Sequence, residues 1–186
     1  MEKPTSYCDA VAKMDKTNPH CHYHDFEYGF PISDDNELFG RLLLEINQAG
    51  LSWTTIINKK DNFRKAYSNF DLSKVANYTQ KDRERLLGDA GIIRNKLKVN
   101  AAIYNANQIL VLQKEFGSFK EWLDRHHPKT KEAWVKLFKK TFKFTGGEIT
   151  NEFLMSTGYL KGAHIETCPI YKKTLASKPP WLVISD

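Results

Sequence analysis

An all-α fold is predicted by three observations. Apolar residues recur at helical spacing over most of the chain, Ser, Thr, Asp or Asn stands ahead of these runs as a helix cap, and no segment sustains the alternation of a half-buried strand. The 186 residues suffice for one fair-sized domain or two small lobes. Lys and Arg outnumber Asp and Glu by 28 to 22, a net charge of +6 that favours polyanionic partners without specifying one. No apolar run approaches the roughly 18–20 residues that span a bilayer, and no signal-peptide core opens the chain, so the expectation is a cytoplasmic protein with no membrane partner. Cys8, Cys21 and Cys168 are odd in number and far apart; they argue against a disulfide scaffold and leave structural thiols or metal ligands.

Residues 1–31, broken by Pro4, Pro19 and Pro31, read as an irregular arm. Asp34-Asp35-Asn36-Glu37 has capping-box spacing and opens a helix ending near Gly50; a second helix is expected from Ser52 to about Ala66. Asp71-Leu72-Ser73 and Thr79-Gln80-Lys81-Asp82 each open a further helix. A Gly-bearing turn at Asp89-Ala90-Gly91 then leads into a helix from Arg94 to about Phe116. Ser118-Phe119-Lys120-Glu121 caps another, a basic helix follows Pro128, and Thr145-Gly146-Gly147-Glu148 starts the last, ending near Gly158.

Three places carry chemistry. Glu45 shares a helix face with Leu38, Leu42 and Ala49, where an unpartnered charge costs several kcal/mol; it either rims the apolar stripe or sits inside with a donor of its own, partly protonated, or awaiting a ligand that supplies a donor. The small-residue corner Ala49-Gly50 and the flat face of Trp53 follow it. Residues 86–98 form either an ordinary helix corner or a helix-hairpin-helix whose turn offers backbone N–H groups to a DNA phosphate, beside Arg94, Lys96 and Lys98. Between Lys114 and Lys143 nine Lys or Arg face four acids, a solvated face or a second basic surface. Finally, His164 and Cys168 lie four residues apart, and Cys8 with His24 would complete a tetrahedral Cys₂His₂ zinc site tying the two ends of the chain, with Cys21, His20 and His22 as competing ligands.

The series Tyr23-His24-Asp25-x-Glu27-x-Gly29-x-Pro31, Leu44-Glu45-x-x-Gln48-Ala49-Gly50-Leu51-Ser52-Trp53, Asp89-Ala90-Gly91-Ile92-Ile93-Arg94, Phe142-Lys143-Phe144-x-Gly146 and His164-x-x-x-Cys168 closely resembles the 3-methyladenine DNA glycosylase I family over nearly the whole chain. The resemblance implies a helix-hairpin-helix glycosylase bundle forming a single domain over 1–186, with a hairpin lobe over about 34–145 and zinc-tethered terminal segments 1–33 and 146–186. It implies structural zinc held by Cys8, His24, His164 and Cys168, and a monofunctional DNA-repair hydrolase excising N3-methyladenine from double-stranded DNA, acting as a monomer. Glu45 becomes the catalytic carboxylate; Tyr23, Tyr28, Trp53 and Glu45 bind the base; Gln48, Gly50 and Leu51, with Gly91, Ile92, Arg94 and Lys96, contact DNA. Three positions depart from the family pattern: Ala10 and Asn151 replace aromatic residues and Tyr28 replaces a Trp, which weakens stacking on a purine by roughly 1–3 kcal/mol per contact. The competing readings are a non-catalytic or altered-specificity hairpin DNA-binding protein, and a lyase working through Lys96 or Lys98.

Overall fold

The computed structural model describes residues 4–183. Its regular structure among those residues is twelve α-helices and two single turns of 3₁₀ helix, with no strand. The chain divides into two compact units: Ile32 to Phe153, and the residues up to Pro31 together with those from Leu154 onward.

The Ile32–Phe153 unit is built on α3 (Asp35–Gln48) and α8 (Lys96–Phe116), which pack on one another and share α6 (Leu72–Ala76) and α9 (Phe119–His126) as neighbours. Helix α3 starts because the Asp34 side chain accepts the Glu37 amide at 2.9 Å. The reciprocal half of the expected capping box is absent, since Glu37 turns away to a two-pronged ion pair with Arg64 at 2.8 and 2.7 Å. The box does form at Thr79–Asp82, at the start of α7 (Gln80–Gly88). Leu38, Phe39, Leu42, Leu43 and Ile46 of α3 are fully buried, and Gly40 admits the Phe70 ring so closely that an added Cβ would lie 2.3 Å from it. A second nucleus joins α9, α10 (Lys131–Thr141) and α11 (Gly147–Ser156): Phe119 stacks on Phe153 at 6.1 Å, and Phe138 and Phe142 close around Trp122. Burying each such ring contributes about 2–3 kcal/mol. The helix expected over residues 52–66 is two, α4 (Trp53–Ile57) and α5 (Lys60–Ala66), because the β-branched run Thr54-Thr55-Ile56-Ile57 propagates helix weakly and Lys59 leaves helical geometry.

The terminal unit corrects the sequence reading twice. The supposed irregular arm contains α1 (Tyr7–Ala12), capped by Ser6, and α2 (Pro19–Phe26), capped by Asn18. The helix at Gly147 is not the last either, for α12 (Pro169–Ala176) follows a loop and begins at Cys168 as N-cap. Pro19 reads as a breaker, yet it occupies the first helical position of α2, as Pro169 does in α12, where the missing N–H has no partner to lose. The final residues of the C-terminal tail lie outside the described residues.

Candidate functional site

Each unit holds one cluster of reactive groups. In the terminal unit, one ligand atom each from Cys8 on α1, His24 on α2, His164 in the preceding loop and Cys168 at the start of α12 lie within 4.8 Å of one another, all buried. Sulfur and nitrogen approach at 3.6 Å for Cys8 and His164, 3.7 Å for Cys168 and His24 and 3.8 Å for Cys168 and His164. Metal bonds of about 2.3 Å to sulfur and 2.0 Å to nitrogen in a tetrahedron give S···N edges of roughly 3.5 Å, so the donor set fits a zinc-sized ion. The outer ring nitrogens confirm the polarity. His24 Nδ1 lies 2.7 Å from Asp25 Oδ1, and His164 Nε2 lies 2.7 Å from the Tyr28 carbonyl oxygen. With those outer nitrogens donating, the inner ones present lone pairs to the centre. Burial holds the His164 imidazolium below its ordinary range and pushes the Cys8 thiol up to about 11, as expected for a cluster that is neutral when it holds no cation. The competing ligands go elsewhere: Cys21 Sγ faces the Asp15 carbonyl at 3.3 Å, His20 meets the Tyr7 hydroxyl at 2.9 Å, and His22 approaches Glu27 at 3.3 Å.

Tyr23 and Tyr28 belong to this same unit, both buried, with ring centroids 5.6 Å apart. Gly29, at φ +82°, follows them; a Cβ there would lie 2.7 Å from that of Ala163, so only glycine fits.

The second cluster lies at the C-terminal end of α3. Glu45 is 3% exposed and lines a 330 Å³ cavity together with Gln48, Ala49, Gly50, Leu51, Glu148, Ile149 and Glu152. That volume is at the small end of the ~300–1,000 Å³ typical of ligand pockets. No hydrogen bond reaches the Glu45 carboxyl among the described residues. Burial pushes it up to about 8, the Arg41 guanidinium opposing and Glu152 adding to the shift. The chain leaves α3 through Ala49 and turns at Gly50, whose φ of +79° suits glycine and whose missing Cβ faces open space. Leu51 then projects at 42% exposed, and Ser52 caps α4 beginning with the half-buried Trp53.

This corner is held from the hairpin. Lys98, in the first turn of α8, is buried and donates to the carbonyl oxygens of Asn47 and Ala49 at 2.8 and 2.7 Å. Its amine therefore faces inward rather than adding charge beside the turn, and burial lowers its pKa. The hairpin itself runs from α7 through Asp89, whose carboxylate accepts the Gly91 amide at 2.7 Å, to Asn95, whose side chain caps Leu97 and Lys98. Ile92 is buried, whereas Arg94 and Lys96 are exposed. Lys59 donates to the carbonyls of Ala90 and Gly91 and so ties the turn to the start of α5. Sequence reasoning placed Lys98 on the DNA-facing side of the turn, and it missed the roles of Lys59, Asp25 and the Tyr28 carbonyl; of these three only Asp25, next to a ligand histidine, carried a sequence signal.

A helical chain with a buried carboxyl in a base-sized cavity, a hairpin before its longest helix and a Cys₂His₂ cluster near its ends defines a class of hairpin-bearing glycosylases. The methyladenine glycosylase family model matches residues 13–135, and the chain belongs to that family. It is 35% identical over 168 residues to DNA-3-methyladenine glycosylase 1 of Escherichia coli (strain K12), covering 80% of this chain and 89% of that protein. A solved structure addressing 3-methyladenine recognition by 3-methyladenine DNA glycosylase I from Staphylococcus aureus superposes with a TM-score of 0.78 at 30% identity, covering 89% of this chain and 97% of that one. A variant 3-methyladenine DNA glycosylase I in complex with 3-methyladenine gives the same TM-score at 30% identity, over 87% and 95% of the two chains.

Proposed function

We propose that this chain, acting as a single glycosylase domain and a cytoplasmic monomer, removes N3-methylated adenine from double-stranded DNA by hydrolysing its N-glycosidic bond. The observation that carries the reading is Glu45: a carboxyl buried without a hydrogen bond, facing a cavity of base size, is costly unless a cationic ligand completes it. An N3-methylated adenine in DNA is such a cation, and its weakened pairing makes turning it out of the duplex less costly. Its entry draws Glu45 into the ionised form and releases a proton to solvent.

When the C1′–N9 bond breaks, its electron pair goes to the base, which leaves neutral. The sugar takes up the positive charge, and water adds at C1′ with loss of a proton. The leaving group needs little acid help, so the protein's work is to hold the base and to ionise Glu45 beside it. Base contact is assigned to Tyr23, Tyr28 and Trp53 with Glu45. The exposed Leu51, with Gln48 and Gly50, is the wedge for the gap in the duplex. Arg94 and Lys96, with the Gly91–Ile92 turn, grip phosphate. Zinc is the metal assigned to Cys8, His24, His164 and Cys168, a clasp that fixes the ends of the chain and takes no part in bond cleavage.

The deciding experiment is mass spectrometry of bases freed from methylated duplex DNA. Wild-type protein is expected to release 3-methyladenine, and Glu45→Gln to lose roughly a hundredfold of that rate. Salt-sensitive duplex binding with no base released by the wild type would replace the enzymatic reading with that of a DNA-binding relative.

A further inference from the structure

We propose that Glu152 determines specificity: from α11 it brings a second negative charge to the cavity of Glu45, so that the site selects a positively charged purine over a neutral one of the same shape. This rests on the base-excision reading above.

Glu148, Ile149 and Glu152 fall on one face of α11 and form one side of the cavity, opposite the Glu45–Leu51 end of α3. The two added acids are not equivalent. Glu148 is largely exposed and lies 3.3 Å from Lys131, so its charge is screened and partly neutralised. Glu152 is half-buried, and its field reaches Glu45, adding to the rise in that carboxyl's pKa. Two carboxylates turned on one small cavity repel each other. The independent observation that points to a ligand is Glu45 itself, buried and without a hydrogen bond in the cavity wall. Arg41, also buried, is the cation whose field opposes at Glu45. With both acids ionised, this trio keeps a surplus of one negative charge. A cationic base neutralises that surplus; a neutral base gains nothing from it.

The charge argument also fixes where the effect appears. The positive charge passes from the base to the sugar as the bond breaks and stays on the bound nucleotide, so its attraction to Glu152 is similar before and during bond cleavage. Glu152 therefore acts on binding and not on the chemical step.

The test is single-turnover excision of 3-methyladenine from duplex DNA, paired with binding of a duplex carrying 3-deaza-3-methyladenine, a neutral base of the same shape. Glu152→Gln is expected to weaken binding of the cationic lesion about tenfold, leaving the rate at saturation and the affinity for the neutral base within about twofold. Glu152→Asp, which keeps the charge, should restore most of the discrimination, and Glu148→Gln should change little. Equal weakening toward both duplexes, or a fall in saturated rate with binding unchanged, would overturn the assignment. A wild type that frees 3-methyladenine while Glu152→Gln discriminates as well as it does removes only the role of Glu152. A wild type that frees none removes the base-excision reading as well.

Discussion

The two reactive clusters solve opposite problems. At Cys8, His24, His164 and Cys168 the outer ring nitrogens are already bonded to Asp25 and to the Tyr28 carbonyl, so the four inner atoms converge with only their metal-facing lone pairs or thiols left over. At Glu45 the carboxyl is equally buried but has no such support, and it opens on a cavity. A centre meant to stay closed is braced from behind. A centre meant to exchange ligands keeps its deficit facing the space the ligand will enter, at a cost to the resting protein.

Measurements at three sites would break or sharpen that contrast. The largest effect belongs to the braced cluster: stripping metal with a chelator, or Cys168→Ser, should cost about 5 kcal/mol or more and lower the melting temperature by over ~10 °C. Metal analysis before and after treatment identifies what was lost; an unchanged melt would end the structural role of zinc. Next comes the deficit at Glu45. Its folded pKa is raised from 4.5 to about 8, so the unfolded chain holds fewer protons between those values, and the stability linked to this carboxyl is full below pH 4.5 and lost as pH climbs through 8. Glu45→Gln should melt like wild type near pH 5 yet be more stable by about 4 kcal/mol near pH 9. Equal melting curves at both pH values would mean that the carboxyl is hydrated. The wild-type specificity constant for 3-methyladenine should likewise rise with pH up to about 8, since the free protein must lose that proton to bind a cation. The smallest effect is at the clamp. Lys98→Met strands the Asn47 and Ala49 carbonyls and should cost about 2 kcal/mol in urea unfolding; a loss no larger than that of an exposed lysine such as Lys96 would show that these bonds stabilise nothing.

Much of this was legible beforehand. The all-α class and the helices α3 and α6 to α11 followed from apolar spacing and cap residues, and the four clustered Cys and His were named from their types and from the family likeness. What failed was local and had a physical cause. A proline at the first helical position hid α2, the short α12 beyond Gly158 was not anticipated, and a β-branched run disguised two short helices as one. Whether Glu45 was rim or interior could not be read from α3 alone, because α11 supplies the opposite side of its cavity. Lys98 was misjudged for a similar reason: its charge and its neighbours Arg94 and Lys96 suggested a surface, while the carbonyls that hold it lie about fifty residues earlier in the chain.

That lysine offers a built-in gauge. Amine-acylating reagents need a free lone pair and access, and the Lys98 amine, shut in and bonded to two backbone oxygens, has neither while the corner stays shut. Its labelling rate, read by peptide mass mapping against the exposed Lys96 two residues away, therefore counts how often the Gly50 bend loosens, and does so with no lesion, no DNA and no turnover.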